Sequence, residues 1–249
     1  MISKGSGVAP AGFQLFETMY ATKVEGPRNL GRHLKRLEAS ASHFRFPLKI
    51  GELRQAIAGH CEAMLRGIPY RLRAAINAAG AIEISANPVA NLEQHIVDVL
   101  IASDCGFGPQ SSQNEFLYHK GTRREEYDRA WRFAEAQGAF DMLFFNERGE
   151  LTEGGRSNLF LKLDGQWWTP PVSAGLLPGV MRSLILDDPL WMAAERVLVR
   201  EDLEGCEDLM VCNALRGPVM ARVRRVNPIR QSEMFAGAEP NTDGTNSKN

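Results

Sequence analysis

The stretch that most limits what this chain can fold into runs from residue 141 to 169. Short apolar runs alternate there with turn residues. Asp141 to Asn146 reads as a buried strand, Glu147-Arg148-Gly149 as a turn, and Leu151 to Glu153 as a returning strand. Gly154-Gly155 breaks that strand, Asn158 to Leu163 forms another, and Asp164-Gly165 is a two-residue hairpin turn into Gln166 to Thr169. Strands joined this tightly pair with one another, so a compact β-rich core has to form here.

The residues before this core follow a different plan. Phe13 to Thr22 reads as a strand that Glu17-Thr18 interrupts with polar groups, and Glu25-Gly26-Pro27 turns the chain. Asn29 stands where a helix cap is expected. Leu30, Leu34, Leu37, Ala41 and Phe44 then recur at helical period, predicting a helix to about Phe44. His33 and Ser40 edge this stripe. Arg36 lies further round the flank, where a helix arginine is ordinarily a solvated charge. After Pro47 a second helix is expected from Ile50 to Arg66, with Leu53, Ile57, Cys61, Met64 and Leu65 turned inward. Strands follow over Tyr70 to Asn77, Ala81 to Ala86 and Ile96 to Ser103. Residues 1–104 therefore read as a small α+β domain.

The segment 105–114 is rich in Gly, Ser, Gln and Pro and reads as an interdomain linker. A larger domain is expected over 115–230, and the polar stretch 231–249 is expected to be a mobile tail. Within the larger domain, Thr122-Arg123-Arg124-Glu125 has capping-box spacing, so a helix should start just past Lys120 and stop at Gly138. Tyr127, Ala130, Trp131 and Ala134 would face inward. Pro178-Gly179 leads into a helix whose first backbone N–H groups suit an anion. Glu207 to Asn213 reads as one more strand.

Composition narrows the function classes. The chain has 249 residues, enough to bury roughly three quarters of its unfolded surface without staples. A formal net charge of −1, with arginines scattered among acids, argues against a nucleic-acid partner. No apolar run reaches the length of a membrane span or of a signal-peptide core. Cys61, Cys105, Cys206 and Cys212 show no zinc spacing, so no metal site is expected; four reduced thiols in a cytoplasmic protein is the simplest reading.

Three features in one region carry chemistry: Lys120 at a strand-to-helix junction, Glu153 in a glycine-rich turn, and the Gly179 helix start. Pyridoxal 5'-phosphate needs those parts, namely a lysine for its aldehyde, a carboxylate at its ring nitrogen and backbone donors for its phosphate. The stretches FQLFETM (13–19), HLKRLEASA (33–41), YHKGT (118–122), FFNERGELTEGGRSNLF (144–160), GLLPGVMR (175–182) and DLMVCNALRG (208–217) carry a resemblance. In family order, they resemble the class IV aminotransferases, the fold type IV pyridoxal-phosphate enzymes. Within that family the chain is most similar to 4-amino-4-deoxychorismate lyases, above all the lyase half fused to para-aminobenzoate synthase component I.

The resemblance implies a two-domain α+β fold and a definite set of roles. Lys120 would hold the cofactor as a Schiff base and then serve as acid and base. Glu153 would pair with the ring nitrogen. Arg36, bland as a helix residue, falls where the family binds phosphate, and Val180, Met181, Asn213 and Ala214 fall on its two phosphate loops. Tyr127 is a conceivable partner of the cofactor hydroxyl. The implied reaction converts 4-amino-4-deoxychorismate to 4-aminobenzoate and pyruvate. The implied setting is a homodimer working with a para-aminobenzoate synthase component. A transaminase of D-amino or branched-chain amino acids is the alternative, and a non-catalytic binding module on the same fold is the lesser one. The family often has Thr where Gly121 stands. The site should lie between the domains, with the linker near Gly106 to Ser112 letting them close.

Overall fold

The computed structural model describes residues 7–90 and 92–225; the expected tail, 231–249, lies outside them. The first unit is a four-stranded antiparallel sheet of β1 (Gln14–Thr22), β2 (Gly26–Pro27), β3 (Tyr70–Asn77) and β4 (Ile82–Pro88), in the order β2-β1-β3-β4. Helices α1 (Leu30–Phe44) and α2 (Ile50–Glu62) cover one face. Strand β1 alternates strictly between buried and half-buried positions, so Leu15, Met19 and Ala21 join Leu34, Leu37, Leu53 and Ile57 in one core. Glu17 shares that inward face and is 1% exposed. Phe16 and Thr18 turn the other way, and cross-strand pairing sets Arg73 opposite Thr18 and Arg71 opposite Tyr20.

Two local readings of this unit change. Helix α1 begins where expected, but Asn29 has φ 56 and its side chain caps nothing. Helix α2 ends at Glu62 rather than Arg66. Met64 tucks into the core while Leu65, expected inward, is 63% exposed, because the chain has already left the helix. The Leu65 backbone N–H donates to the Tyr70 hydroxyl at 3.3 Å instead of continuing the helical ladder.

The second unit is an eight-stranded mixed sheet. Its strands are β5 (Ile96–Ile101), β6 (Asp141–Phe145), β7 (Leu151–Gly154), β8 (Asn158–Leu163), β9 (Gln166–Thr169), β10 (Ala193–Glu195), β11 (Asp208–Asn213) and β12 (Gly217–Val223). Their order is β10-β9-β8-β11-β12-β5-β6-β7. The turns at residues 147–149 and 164–165 fold as the sequence demands, with Gly149 and Gly165 at positive φ. Strand β5, expected to close the first domain, belongs to this second sheet and pairs in parallel with β12 and β6. Val97, Val99, Leu100 and Ile101 are all buried, as in a parallel strand covered on both faces. The crossing between sheets therefore falls before Ile96, not near residue 104.

Helix α3 (Glu125–Ala136) lays Tyr127, Ala130 and Ala134 against Leu100, Met142 and Phe144. Helix α4 (Val180–Asp187) packs Ile185 against Phe160, Met210 and Cys212, and α5 (Arg200–Gly205) packs Leu203 among Leu161, Leu198 and Leu209. Thr122 does not cap α3; its hydroxyl accepts from the Gln14 N–H at 3.0 Å, which ties the start of the second unit to β1. The segment near Gly106 to Ser112 is also anchored. The Gln110 N–H donates to the Phe145 carbonyl, and the Ser112 N–H donates to the Glu147 carboxylate at 2.8 Å. Among the described residues no helix is long and apolar enough to cross a membrane.

Candidate active site

One cavity of about 450 Å³ opens between the bare face of the small sheet and the rim of the large one. That volume suits a cofactor-sized ligand. Arg36, Lys120, Glu153, Val180, Met181, Asn213 and Ala214 all line it, so every candidate residue is brought to one place.

Lys120 is positioned through its backbone. Its carbonyl accepts from the Phe16 N–H at 2.9 Å, the Thr122 N–H donates to the Gln14 carbonyl, and Gly121 bridges to Leu15. Residues 120–122 thus run as a short edge along β1 although they belong to the second half of the chain. The ammonium nitrogen stands 5.0 Å from the centre of the Phe16 ring. Lys120 is only partly covered, but its open side faces the cavity rather than bulk water. Desolvation, then the charges of Arg124 and Arg36, bring its pKa from the usual 10.5 down to about 7. A large fraction of this amine is neutral near pH 7.

Glu153 sits on β7, whose residues are all buried. The Asn158 amide donates to its carboxylate at 3.2 Å and to the Leu177 carbonyl at 3.0 Å. Burial pushes the carboxyl up to about 8, against the pull of Arg124 and Lys120. Asn158 is held in turn by Gly179: a Cβ at residue 179 would collide with the Asn158 amide oxygen. Gly179 also precedes α4, which has no side-chain cap and no acidic residue in its first turn. The first-turn N–H groups at Val180 and Met181 are therefore available to an anion.

Arg36 reaches the cavity from α1. It donates to the Pro178 carbonyl at 3.0 Å and twice to Glu17, at 2.8 and 2.6 Å. His33, fully buried, stands 2.7 Å from the same carboxylate. Burial alone would raise the Glu17 pKa; Arg36 and His33 outweigh it and hold the carboxyl at about 2. The helix arginine is thus a fixed cation at the cavity edge, not a solvated charge. Asn213 lies at the opposite wall, where its side-chain oxygen accepts from the Leu215 and Arg216 N–H groups. Its side chain braces the loop that carries Ala214, which also lines the cavity.

Tyr127 does not line this cavity. Its ring packs on Phe144 with centroids 4.7 Å apart, behind Glu153, and its hydroxyl is buried. Sequence reasoning also missed Arg71, Arg73, Arg124 and Arg156, which add four cations to the wall. Arg73 lies 4.5 Å from the Phe16 ring centre, and Arg156 lies 3.3 Å from that of Trp131. The signal for the first two was readable: they alternate with Tyr70, Leu72, Ala74 and Ile76, so both had to project from the face away from the core.

Comparison with known proteins gives a consistent picture. The sequence model of the class IV amino-transferases matches residues 14–226. A Schizosaccharomyces pombe protein described as "Putative aminodeoxychorismate lyase" is 28% identical over 216 residues, covering 83% of this chain and 88% of that protein. A Mesorhizobium loti structure described as "Putative amino-acid aminotransferase" is 31% identical with a TM-score of 0.77, covering 85% of this chain and all of that one. A Legionella pneumophila structure described as "Putative 4-amino-4-deoxychorismate lyase" has a TM-score of 0.72 at 21% identity, covering 89% of this chain and 88% of that one. The Escherichia coli branched-chain amino acid aminotransferase shares the fold, with a TM-score of 0.72 at 20% identity over 86% of this chain and 78% of that one.

Proposed function

The chain belongs to the class IV aminotransferase family, and on that premise we propose that it is a pyridoxal-phosphate-dependent 4-amino-4-deoxychorismate lyase. The observation that carries the cofactor assignment is the donor set of the cavity: an amine of low pKa, a carboxyl that retains its proton to about pH 8, a fixed arginine and an uncapped helix start. These residues fit the group. Lys120 would hold its aldehyde, Glu153 its ring nitrogen, and Arg36 with the N–H groups at Val180, Met181 and the Asn213-Ala214 loop its phosphate. When bound, pyridoxal phosphate supplies an aldehyde that condenses with amines and a ring that accepts an electron pair from the adjacent carbon.

The protein residues divide the remaining work. Neutral Lys120 takes the proton from the substrate carbon that bears nitrogen. Glu153 would share its proton with the ring nitrogen. Arg71, Arg73 and Arg156 supply more positive charge than one phosphate requires, and they suit a substrate carrying two carboxylates. Cleavage of the bond to the enolpyruvyl oxygen then makes the six-membered ring aromatic as 4-aminobenzoate, and the expelled enolpyruvate takes back the proton held by Lys120 and tautomerises to pyruvate. The cationic wall and the Schizosaccharomyces pombe relative support this reading, since the amino donors of branched-chain transamination carry one carboxylate and an apolar side chain.

The deciding experiment supplies 4-amino-4-deoxychorismate to the purified chain with and without a 2-oxo acid. Pyruvate and 4-aminobenzoate formed without the acceptor support the lyase. Turnover that strictly needs the acceptor supports the transaminase and sinks this reading.

A further inference from the structure

Behind Glu153 lies a second, much smaller void of about 10 Å³, lined among others by Tyr127, Arg124, Leu177 and Glu153 itself. It is the size of a single water molecule. The Tyr127 hydroxyl is fully buried and has no hydrogen-bond partner among the described residues. A buried hydroxyl without a partner is costly, and the nearest carboxylate across this void is Glu153. The groups that act on Glu153 are Lys120 beside β1, Arg124 at the start of α3, the Leu177 backbone N–H, Asp141 on β6 and Tyr127 on α3. Of these, Lys120 and Arg124 are cations that also line the main cavity, and Asp141 is occupied by Ser157 and the Arg156 N–H. Tyr127 brings a neutral side-chain donor to the void behind Glu153, where Leu177 supplies a backbone one.

We propose that Tyr127 is a positioning residue for Glu153. Its hydroxyl, directly or through one water in the shared void, donates to the Glu153 carboxylate and holds it aimed at the main cavity. This inference rests on the reading of Glu153 as the carboxylate facing the cofactor ring, but it concerns an interaction within the protein that exists without cofactor. It gives the unpartnered hydroxyl an acceptor and the carboxylate a support from behind. Asn158 supports the same carboxylate from β8.

The test uses the full chain freed of cofactor, and Tyr127→Phe, which keeps the ring against Phe144. The carboxyl stretch of Glu153, assigned by its loss in Glu153→Gln, is followed against pH by infrared difference spectroscopy. Removing a donor to the ionised carboxylate should raise the ionisation midpoint by about one pH unit, a tenfold change in acid constant. The cofactor-loaded variant should bind pyridoxal phosphate more weakly by a similar factor. An unchanged midpoint in a folded Tyr127→Phe chain overturns the proposal. If Tyr127→Phe fails to fold, the unmodified chain decides: its near-ultraviolet tyrosine signal must change with pH at the Glu153 midpoint and stay constant there in Glu153→Gln, and no change at that midpoint overturns the proposal. Failure of the cofactor reading is distinguished separately, because Glu153→Gln would then leave pyridoxal phosphate affinity unaffected while the midpoint shift stayed.

Discussion

Arg36 and Glu17 form a two-point ion pair, with Nε to Oε1 at 2.8 Å and an Nη to Oε2 at 2.6 Å, across the seam between α1 and β1. The Glu17 side chain is 2% exposed and that of Arg36 12% exposed. Such a pair is weak evidence for net stability, but breaking it is costly because one charge stays buried alone. Arg36→Ala should therefore lower unfolding free energy by about 3 kcal/mol in urea titration, with His33 limiting the loss. If Arg36 also meets the cofactor phosphate, pyridoxal phosphate affinity should fall at least tenfold in the same variant, measured by absorbance titration.

Glu17 should also contribute to the acid limb of stability. Its folded pKa of about 2 lies below the ordinary 4.5, so the folded state binds this proton less readily than the unfolded state does. The contribution is fully present above pH 4.5 and is lost as pH falls through 2. Two to three units correspond to about 3 kcal/mol. Glu17→Gln should be less stable at pH 7, because Arg36 is left unpaired, yet its stability should fall less steeply from pH 4.5 towards 2. A variant as steep as the unmodified chain would show that other carboxylates set the limb.

The Glu17–Arg36 pair also shows what the sequence could and could not reveal. The strands over residues 141–169 were legible because each is fixed by its own turn, a local signal. Arg36 was legible only through resemblance: on its own helix it looks like any surface arginine. Glu17 read as an interruption in an apolar strand because its partners, His33 and Arg36, arrive 16 and 19 residues later on another element. Strand β5 was found as a strand but assigned to the wrong sheet. Its partner β12 lies more than a hundred residues away, and pattern alone cannot say which strand another will choose. Thr122 matched a capping signal, and β1 took its hydroxyl instead. Arg71 and Arg73 were legible as facing away from the core, but not as facing a cavity, because its other wall comes from the second half of the chain.

Gly121, where the family often has Thr, is explained by Phe13. A Cβ at residue 121 would collide with the Phe13 ring, which packs edge-on against Phe44 at 5.0 Å and Phe116 at 5.4 Å. Gly121→Thr should then cost about 1–3 kcal/mol through overpacking. Phe13→Ala, which removes a buried ring, should cost about 3–5 kcal/mol. The double variant should be less destabilised than the sum of the two, since the new side chain enters the space the ring leaves. Strict additivity in thermal denaturation would show that the two residues do not compete for the same volume.

Arg73 should govern the charge of the preferred substrate. It projects from β3 into the cavity beside Arg71, and burial lowers its pKa, so it gains by meeting an anion. Arg73→Gln should raise KM for a dicarboxylate substrate about 10-fold or more, the scale of one lost charged hydrogen bond, with little change for a monocarboxylate amine. Equal losses for both substrates would place Arg73 in the scaffold rather than in selection.

The last prediction concerns Lys120 before any cofactor arrives. An ordinary lysine at pH 7 is almost wholly protonated, whereas Lys120, with a pKa of about 7, is about half neutral. Acylating reagents attack the neutral amine, so in the cofactor-free chain Lys120 should be modified faster than exposed lysines near pH 7, as read by peptide mass analysis. The cation of Arg124 contributes to this depression, second only to desolvation. Removing it in Arg124→Gln makes protonation of Lys120 easier, raises its pKa and shrinks the neutral fraction. The Lys120 modification rate should therefore fall at pH 7 and recover as pH rises, while surface lysines stay unchanged. A Lys120 rate indifferent to Arg124 would leave desolvation and Arg36 as the causes. A rate equal to that of exposed lysines would remove the amine from the role proposed for it.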